Sequence, residues 1–222
     1  MTSPIPRTVK SSLVENLRDE IVLGELVPGQ RLRLEDIASR YDVSTMPVRE
    51  ALRALETEGL VEVFPHRGAV VTELSTDDLE DIYDIRALLE EKATYAAVPN
   101  LTKETLEELT SIVEQMDKHL GDVSAEVALN HKLHITLYAA SGRKHLCELN
   151  QLLRYRTQHY LRAFINDLGG MPHAQDEHRV ILEACIQGDA EKAAILVHNH
   201  VAHVGQAIVE SLRKRKETES SE

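Results

Sequence analysis

The sequence predicts a mainly α-helical protein: an N-terminal winged helix-turn-helix followed by an all-α six-helix bundle. Residues 31–72 show the pattern of a helix, a tight turn, a second helix and two short strands. From residue 75 onward, apolar-striped segments alternate with Gly, Pro, Asn or Asp breaks, and no strand pattern is seen. We therefore expect domains at 1–73 and 74–216, with a polar tail at 217–222.

The elements of the first domain follow from local signals. Apolar residues at every fourth position predict a first helix over about 8–24, and Pro28-Gly29 ends that segment. A short helix is predicted at 34–41, and Ser44 is placed to cap the next helix, which ends at Gly59. The wing strands are expected at 61–64 and 69–71.

The second domain begins at Ser75, which precedes an acidic first turn and an apolar stripe, as is typical of a capped helix. Five further helices are expected at roughly 102–120, 124–141, 143–167, 171–187 and 189–214. Short links between long helices favour a bundle in which consecutive helices pack against each other.

Composition excludes several classes of protein. No apolar run approaches the roughly 20 residues that a membrane span needs. The first ten residues lack the apolar centre of a signal peptide. The only cysteines, Cys147 and Cys185, fall on apolar helix faces. We therefore expect reduced core thiols and a cytoplasmic location.

The net charge of −12 is unevenly distributed. Residues 1–72 hold 9 Lys and Arg against 11 Asp and Glu, a net charge of −2, and the remaining residues carry −10. Six of the arginines of the first domain cluster at positions 31, 33, 40, 49, 53 and 67. A local basic face on this near-neutral domain can contact phosphates, whereas the acidic domain is not expected to lie on DNA.

A recognition helix places short polar residues and arginines where they reach base edges and phosphates. Ser44, Thr45, Arg49 and Arg53 meet that requirement at the start of the second helix of the motif. The predicted DNA-binding residues also include Arg33 and the wing-tip residues His66, Arg67 and Gly68. The alternative is a winged helix used for protein contacts, with solvated arginines.

Polar residues interrupt the apolar stripes of the second domain. Asn130 and His134 share one helix face, and His178 and His200 fall on the apolar faces of two later helices. Three neutral imidazoles and an amide oxygen can bind a divalent metal, and zinc, nickel and manganese all fit this set. Singly, each histidine is more simply a hydrogen-bonded core residue. Three other histidines are expected to be solvated: His131, His198 and His203.

Two arginines are candidates for binding an effector. Arg86 occupies the apolar stripe of the first bundle helix, and a guanidinium there can hold a carboxylate through two hydrogen bonds. An internal ion pair with Glu90, one turn later, is an equal alternative. Arg156 is a weaker candidate on the stripe of Leu149, Leu153 and Tyr160.

The segment STMPVREALRALETEGLVEVFPHRGAVV resembles the DNA-binding signature of the GntR family of bacterial transcription regulators. STDDLEDIYDIRALLEEKA, NHKLHITLYAASG and DEHRVILEACIQGDAEKAAILVHNH resemble, in order, motifs of the FCD effector domain found in its FadR-like subfamily. Six helices suit the smaller, VanR-like version of that domain. The resemblance covers nearly the whole chain.

The resemblance implies a metal site at Asn130, His134, His178 and His200. Asn130 stands where the family has a carboxylate, which predicts weaker metal binding or charge left for a ligand to neutralise. In the DNA-binding motif, Thr45 and Glu35 stand where the family often has arginines. The fold should therefore be retained, and the preferred DNA sequence should differ.

These observations predict a homodimeric, ligand-responsive regulator that binds double-stranded operator DNA and a small carboxylate effector. The resemblance favours a repressor of a metabolic operon, with activation left open. One alternative is a metal-dependent enzyme acting in the bundle. The chain has no His-Glu-x-x-His motif and no evident general base, because Glu177 projects away from the face of His178. Another alternative is a protein-interaction module.

Overall fold

The computed structural model describes residues 8–65, 67–168 and 174–219. The chain forms two compact units, Met1–Glu73 and Leu74–Glu222. The predicted fold class is confirmed: the first unit is a winged helix-turn-helix, and the second contains six α-helices within the described residues.

In the first unit, residues 8–65 and 67–73 form three helices and three short strands. They are α1 (Val9–Val22), β1 (Arg31–Leu32), α2 (Leu34–Arg40), α3 (Thr45–Thr57), β2 (Val61–Phe64) and β3 (Gly68–Val71). The Thr8 side chain caps α1 by accepting a hydrogen bond from the Ser11 amide at 3.1 Å. The two-residue strand β1 was not predicted, because so short a segment carries no periodicity.

The helix-turn-helix is formed by α2 and α3. Val48, Leu52 and Leu55 of α3 are buried, which leaves the opposite face of the helix for solvent. Asp42 adopts a left-handed conformation in the turn, with φ of 51°. Ser44 occupies the N-cap position as predicted, but within the described residues its side chain makes no capping hydrogen bond. The exposed hydroxyl of Ser44 is therefore not used in capping.

The wing is an antiparallel sheet in which β3 lies between β1 and β2. Gly68 begins β3 with φ of +83°, a conformation that L side chains rarely adopt. A Cβ atom at this position would lie 2.1 Å from the backbone oxygen of Leu32. Close approach of the wing turn to β1 therefore requires glycine at position 68.

The second unit is an all-α bundle. Its elements are α4 (Thr76–Ala97), a 3-10 turn (Val98–Asn100), α5 (Lys103–Lys118), α6 (Val123–Ala139), α7 (Lys144–Leu168), α8 (Ala174–Ile186) and α9 (Ala190–Glu219). The predicted tail at 217–222 is too long, because α9 continues to Glu219. Residues 220–222 lie outside the described residues.

Helix α4 is central to the bundle and packs most extensively against α9. It starts with a capping box in which Ser75 and Asp78 exchange side-chain and backbone hydrogen bonds. Its inward face carries apolar residues together with Arg86 and Glu90, both buried. The start of this helix is therefore fixed locally, and its middle places charged groups in the interior.

The cysteines are free thiols in the described part of the chain. Cys185 is buried, and burial raises the pKa of its thiol to about 12. Cys147 is only half-buried, so the expectation of a core position is met less fully there. Over the described ranges, none of the helices has the length and hydropathy that a bilayer span requires.

The wing turn provides a stability test. Gly29 and Gly68 belong to the same unit and both have positive φ, but a Cβ at Gly29 would contact only the Glu73 carboxylate, at 3.6 Å. We expect Gly29→Ala to destabilise this unit by about 1–2 kcal/mol, the usual cost of a left-handed alanine. Gly68→Ala should cost a further 1–3 kcal/mol, roughly, because of the overlap with Leu32. Urea unfolding measures both, and equal losses would contradict the wing geometry.

Candidate functional site

A cavity of about 80 Å³ lies among the helices of the second unit. Its wall combines polar groups with an apolar surface. The polar side chains are Tyr83, Arg86, Glu126, Asn130, His134, Arg154, Gln175, His178 and His200. The apolar ones are Met116, Leu120, Leu161, Ile165, Ala174, Val201 and Val204. A largely apolar pocket with a few convergent polar groups is typical of a small-molecule site.

Three histidines from three helices meet at this cavity. His134 of α6, His178 of α8 and His200 of α9 are each no more than 3% exposed. Their possible ligand atoms all lie within 4.8 Å of one another. The structure therefore brings together the three histidines for which the sequence predicted a metal site, and the fourth predicted residue, Asn130, lines the same cavity.

Hydrogen bonds fix which nitrogen each ring presents. His200 Nδ1 donates to the Glu177 carboxylate at 2.7 Å, because a carboxylate oxygen can only accept. His134 Nδ1 lies 2.7 Å from the Tyr138 hydroxyl. The Tyr138 hydroxyl donates its one hydrogen bond to Glu90, so its oxygen accepts a hydrogen bond from His134. In both rings, Nε2 is left with the lone pair.

The third histidine, His178, also donates from Nδ1. Its Nδ1 lies 3.4 Å from the Gln175 Oε1 atom, and the Gln175 amide nitrogen already donates to Asp117 and to the Val113 carbonyl. The ring therefore donates from Nδ1 and presents Nε2 as a lone pair. Burial, followed by neighbouring positive groups, lowers the pKa of both His134 and His178 well below the usual value. A neutral imidazole, which has a lone pair on one ring nitrogen, is the form that binds metal.

Asn130 does not join the histidines as the oxygen ligand that the sequence predicted. Its Oδ1 accepts a hydrogen bond from Arg154 at 3.0 Å, and its Nδ2 lies 3.3 Å from His178 Nε2. The guanidinium can only donate, so it holds the amide oxygen on its own side. Asn130 therefore donates an N–H to the Nε2 lone pair of His178, and its amide nitrogen has no lone pair for a metal.

A buried charge network lies beside the histidines, centred on the fully buried Glu90. Arg86 Nε donates to Glu90 at 2.9 Å, and Arg86 Nη1 donates to Thr157 at 2.8 Å. The ion pair with Glu90, stated above as the alternative role for Arg86, is therefore what the structure shows. Arg154 Nη1 adds a second contact to Glu90 at 3.2 Å.

The network keeps Glu90 ionised despite its burial. Burial alone would raise the pKa of this carboxyl, but the charges of Arg86 and Arg154 outweigh it and hold the pKa below its ordinary value. The same contact with Glu90 overcomes the effect of burial on Arg86 and raises its pKa. Two cations and one anion leave this part of the interior with a net charge of +1.

The prediction for Arg156, the other candidate effector-binding arginine, does not agree with its position in the structure. Arg156 is not among the residues that line the cavity, whereas Arg154 is. The predicted stripe on α7 is rotated, since Leu149 is 51% exposed while Asn150, Arg154 and Thr157 are buried. Apolar periodicity cannot identify this inward face, because it is polar.

Two of the histidines expected to be solvated are partly enclosed. His131 is half-buried and stacks on Tyr155 with ring centroids 5.7 Å apart, and burial lowers its pKa to about 4. His198 lies on α9 with its Nδ1 2.8 Å from the Glu91 carboxylate. His203 is exposed as predicted.

The predicted DNA-binding residues lie mainly on the exposed surface of the first unit. Arg33, Arg49 and Arg67 line one concave surface together with Arg31 and Glu35. Four more predicted residues complete the set: Ser44, Thr45 and Arg53 are exposed, and Gly68 lines the same surface. His66 lies outside the described residues.

Arg31 is the residue of this surface that the prediction omitted. Its guanidinium donates to the backbone oxygen of Arg67 at 3.4 Å, so it connects β1 with the wing turn. Arg40 belongs elsewhere, since it forms an ion pair with Glu20 at 2.6 Å. The exposed arginines and the wing define a surface suited to phosphate and base contacts.

Other site residues were missed in the sequence for different reasons. Tyr138 and Gln175 lie four and three residues from their histidines, so helical spacing alone could have indicated both contacts. Glu177 contacts His200 of another helix, and no local spacing signals that pair. Arg154 shares its helix with Arg156, and only the packing of α7 distinguishes the two.

A winged helix-turn-helix with exposed arginines, joined to a helical unit with a ligand-sized cavity, defines the class of DNA-binding transcriptional regulators. The GntR family of bacterial regulatory proteins matches residues 10–71, and the FCD domain matches residues 81–203. The chain belongs to the GntR family and carries an FCD domain. Its relatives are transcriptional regulators, which rules out the enzyme alternative.

Individual relatives agree over most of the chain. The HTH-type transcriptional regulator McbR of Escherichia coli is 32% identical over 174 residues, covering 76% of this chain and 79% of the relative. The probable D-xylose utilization operon transcriptional repressor of Paenarthrobacter nicotinovorans is 30% identical, covering 91% of each. The solved structure of E. coli McbR/YncC matches with a TM-score of 0.81 and 26% identity, covering 95% of this chain and 99% of that one.

The charge network can be tested by removing its anion. Glu90→Gln leaves Arg86 and Arg154 buried without a counter-charge, and should lower the free energy of unfolding by about 3–5 kcal/mol. Glu91→Gln, on the next residue of α4, is the matched control. Its partly exposed carboxylate should contribute less than about 1 kcal/mol. Urea unfolding of both variants is the measurement, and similar losses would contradict the central role of Glu90.

Proposed function

We propose that this protein is a ligand-responsive repressor of a metabolic operon. Residues 1–73 would form its DNA-binding domain, and residues 74–216 would sense a small organic acid through a metal-containing pocket. The observation that carries the proposal is the set of three buried histidines whose possible ligand atoms lie within 4.8 Å of one another and whose Nδ1 atoms are held by hydrogen bonds to other side chains. A core packed for stability alone would not need three buried imidazoles at one point.

The donor set fits a divalent cation held by His134, His178 and His200. When bound, the cation would supply positive charge and open coordination positions to a carboxylate. Zinc, nickel and manganese remain the candidates. The acceptors for the three Nδ1 protons would orient the rings, with Glu177, Tyr138 and Gln175 in that role. Asn130 would take no part in coordination and would donate an N–H to a ligand beside the metal.

The charge balance supports an anionic effector. Arg86, Arg154 and Glu90 sum to +1 before any metal is bound, and all three are buried. A divalent cation would raise that charge further, and uncompensated charge in a protein interior is costly. A bound carboxylate would offset it, with Arg154 and Asn130 available as hydrogen-bond donors. Arg86 would act mainly through Glu90, and Arg156 would have no direct role.

Effector binding would act on the helix that follows the wing in sequence. Helix α4 carries Arg86 and Glu90 and begins five residues after β3 ends. A ligand that binds one arrangement of α4 more tightly than another would shift the population toward that arrangement. The DNA-binding unit would thereby change its affinity for the operator. The names of relatives such as the D-xylose operon repressor favour repression as the outcome.

We also propose that the regulator is a homodimer acting in the cytoplasm. Ile85, Leu88 and Tyr95 on α4 are between 48% and 61% exposed and are spaced to share one helix face. A second copy of the chain would cover this face. Two-fold symmetry would then present two winged helices to a near-palindromic operator.

The proposed DNA contacts are Arg33, Ser44, Thr45, Arg49, Arg53, His66, Arg67 and Gly68. Arg49→Ala should weaken operator binding about 5- to 100-fold, the range expected when a base or phosphate contact is lost. Arg40→Ala is the control, because its guanidinium is paired with Glu20, and affinity should stay within about twofold. Fluorescence anisotropy with DNA selected from a random pool gives both affinities. Equal effects would contradict the proposed surface.

The sensing mechanism predicts that metal and acid act together. In the zinc-, nickel- or manganese-loaded protein, an acid present at about 100 times its Kd should add about 2.7 kcal/mol of stability. The same acid should release operator DNA. A thermal-shift screen of small carboxylates, run with and without chelator, measures the first effect, and chelation should abolish it. Anisotropy on the operator measures the second.

Single substitutions distinguish metal and acid binding at the histidine cluster from binding elsewhere on the protein. His178→Ala and His200→Ala should abolish metal retention and the acid-induced shift. His198→Ala, on the same helix as His200, should leave both intact. Metal content after dialysis gives a readout independent of the acid. Unaltered acid shifts in both cluster variants would refute the metal-mediated pocket.

A further inference from the structure

Tyr83 of α4 carries a buried polar atom that the structure does not otherwise use. The residue is 2% exposed and lines the same cavity as the three histidines. Among the described residues, none forms a hydrogen bond with its hydroxyl. Buried hydroxyls are almost always hydrogen-bonded, and phenylalanine would fill the same space without an unmet polar group. The hydroxyl therefore needs an explanation beyond packing.

The ring that carries this hydroxyl is held on two sides. A Cβ atom at Gly205 of α9 would lie 2.5 Å from both Cβ and Cγ of Tyr83, so only glycine lets the helix backbone approach the ring this closely. The Arg86 guanidinium carbon lies 4.6 Å from the ring centroid, within the range of a cation–π contact. Glycine in the middle of a helix lowers its stability, so close packing here offsets an intrinsic disadvantage. The position of the Tyr83 ring is consequently well defined.

The composition of the cavity indicates which ligand group the hydroxyl would meet. The histidines, Asn130 and Arg154 account for one carboxylate under the proposed function, and much of the remaining wall is apolar. A phenol hydroxyl can both donate and accept one hydrogen bond. Its partner would therefore be an oxygen of the ligand outside the carboxylate, such as a hydroxyl group. An unsubstituted acid has no such group and would leave Tyr83 unsatisfied.

We infer that Tyr83 is a specificity-determining residue that selects small hydroxy acids over the corresponding unsubstituted acids, with Gly205 as its positioning residue. This inference rests on the proposed function and adds to it the chemical class of the effector. The preference arises because the wrong acid leaves a buried hydroxyl without a partner. If Tyr83 selects through this hydrogen bond, removing its hydroxyl changes the ratio of the affinities for the hydroxy acid and the unsubstituted acid. If Tyr83 has only a structural role, removing its hydroxyl changes both affinities by the same factor.

Matched acid pairs test the inference on the full-length zinc-loaded protein. The probes are lactate against propionate, 3-hydroxybutyrate against butyrate, and mandelate against phenylacetate, each measured by calorimetric titration. At least one pair should show a preference of about tenfold or more for the hydroxy acid, the size expected of one buried hydrogen bond. In Tyr83→Phe, which removes only the hydroxyl, the preference should fall below about twofold. Tyr41→Phe, which removes a tyrosine hydroxyl from the first unit, should retain it.

Gly205→Ala is the second variant, and its added methyl group should displace the ring and reduce the preference while leaving the hydroxyl in place. If this variant does not fold, Tyr83→Phe decides the question alone. An unchanged preference in Tyr83→Phe, or no preference in the wild-type protein, overturns the inference about Tyr83. The proposed function is judged separately, and acid binding that is lost on adding chelator upholds it. If none of the six acids binds the zinc-loaded wild-type protein, the inference is overturned together with acid sensing at this site.

Discussion

The contact between the Glu90 carboxylate and the Tyr138 hydroxyl determines the chemistry of the bundle interior. Because Glu90 is held ionised by Arg86 and Arg154, it accepts a hydrogen bond from the Tyr138 hydroxyl, and the tyrosine oxygen in turn accepts one from His134. One buried carboxylate thus pairs with two guanidinium groups and fixes the protonated nitrogen of an imidazole. Such networks favour a single arrangement of side chains, because each member is costly to leave unpaired.

The two units divide the work of a regulator between different kinds of interaction. The winged unit offers exposed arginines on a rigid apolar core, which suits contacts that form and break with DNA. The helical unit buries its charges, so a small anion can have a large effect there. Asn130 adds to this difference, because an amide in place of a carboxylate contributes no negative charge to the pocket. Helix α4 belongs to the second unit and carries the network on consecutive turns.

The order of helices and strands could be predicted from the sequence, because apolar periodicity and Gly or Pro breaks act locally. The convergence of His134, His178 and His200 was also predictable, since each lies on the buried face of its own helix. The choice of Arg154 over Arg156 was not, because the buried face of α7 is polar. The contact of Glu177 with His200 depends on the packing of α8 against α9, which no spacing along the chain records.

The central claim is that three imidazole nitrogens, and no protein carboxylate, hold a cation in this pocket. X-ray absorption at the zinc edge of the zinc-loaded protein tests it most directly. The account predicts three histidine nitrogens at about 2.0–2.1 Å, with the remaining light-atom signal changing when a bound acid is added. Thiolate or carboxylate ligation, or a spectrum unchanged by His178→Ala, would contradict it.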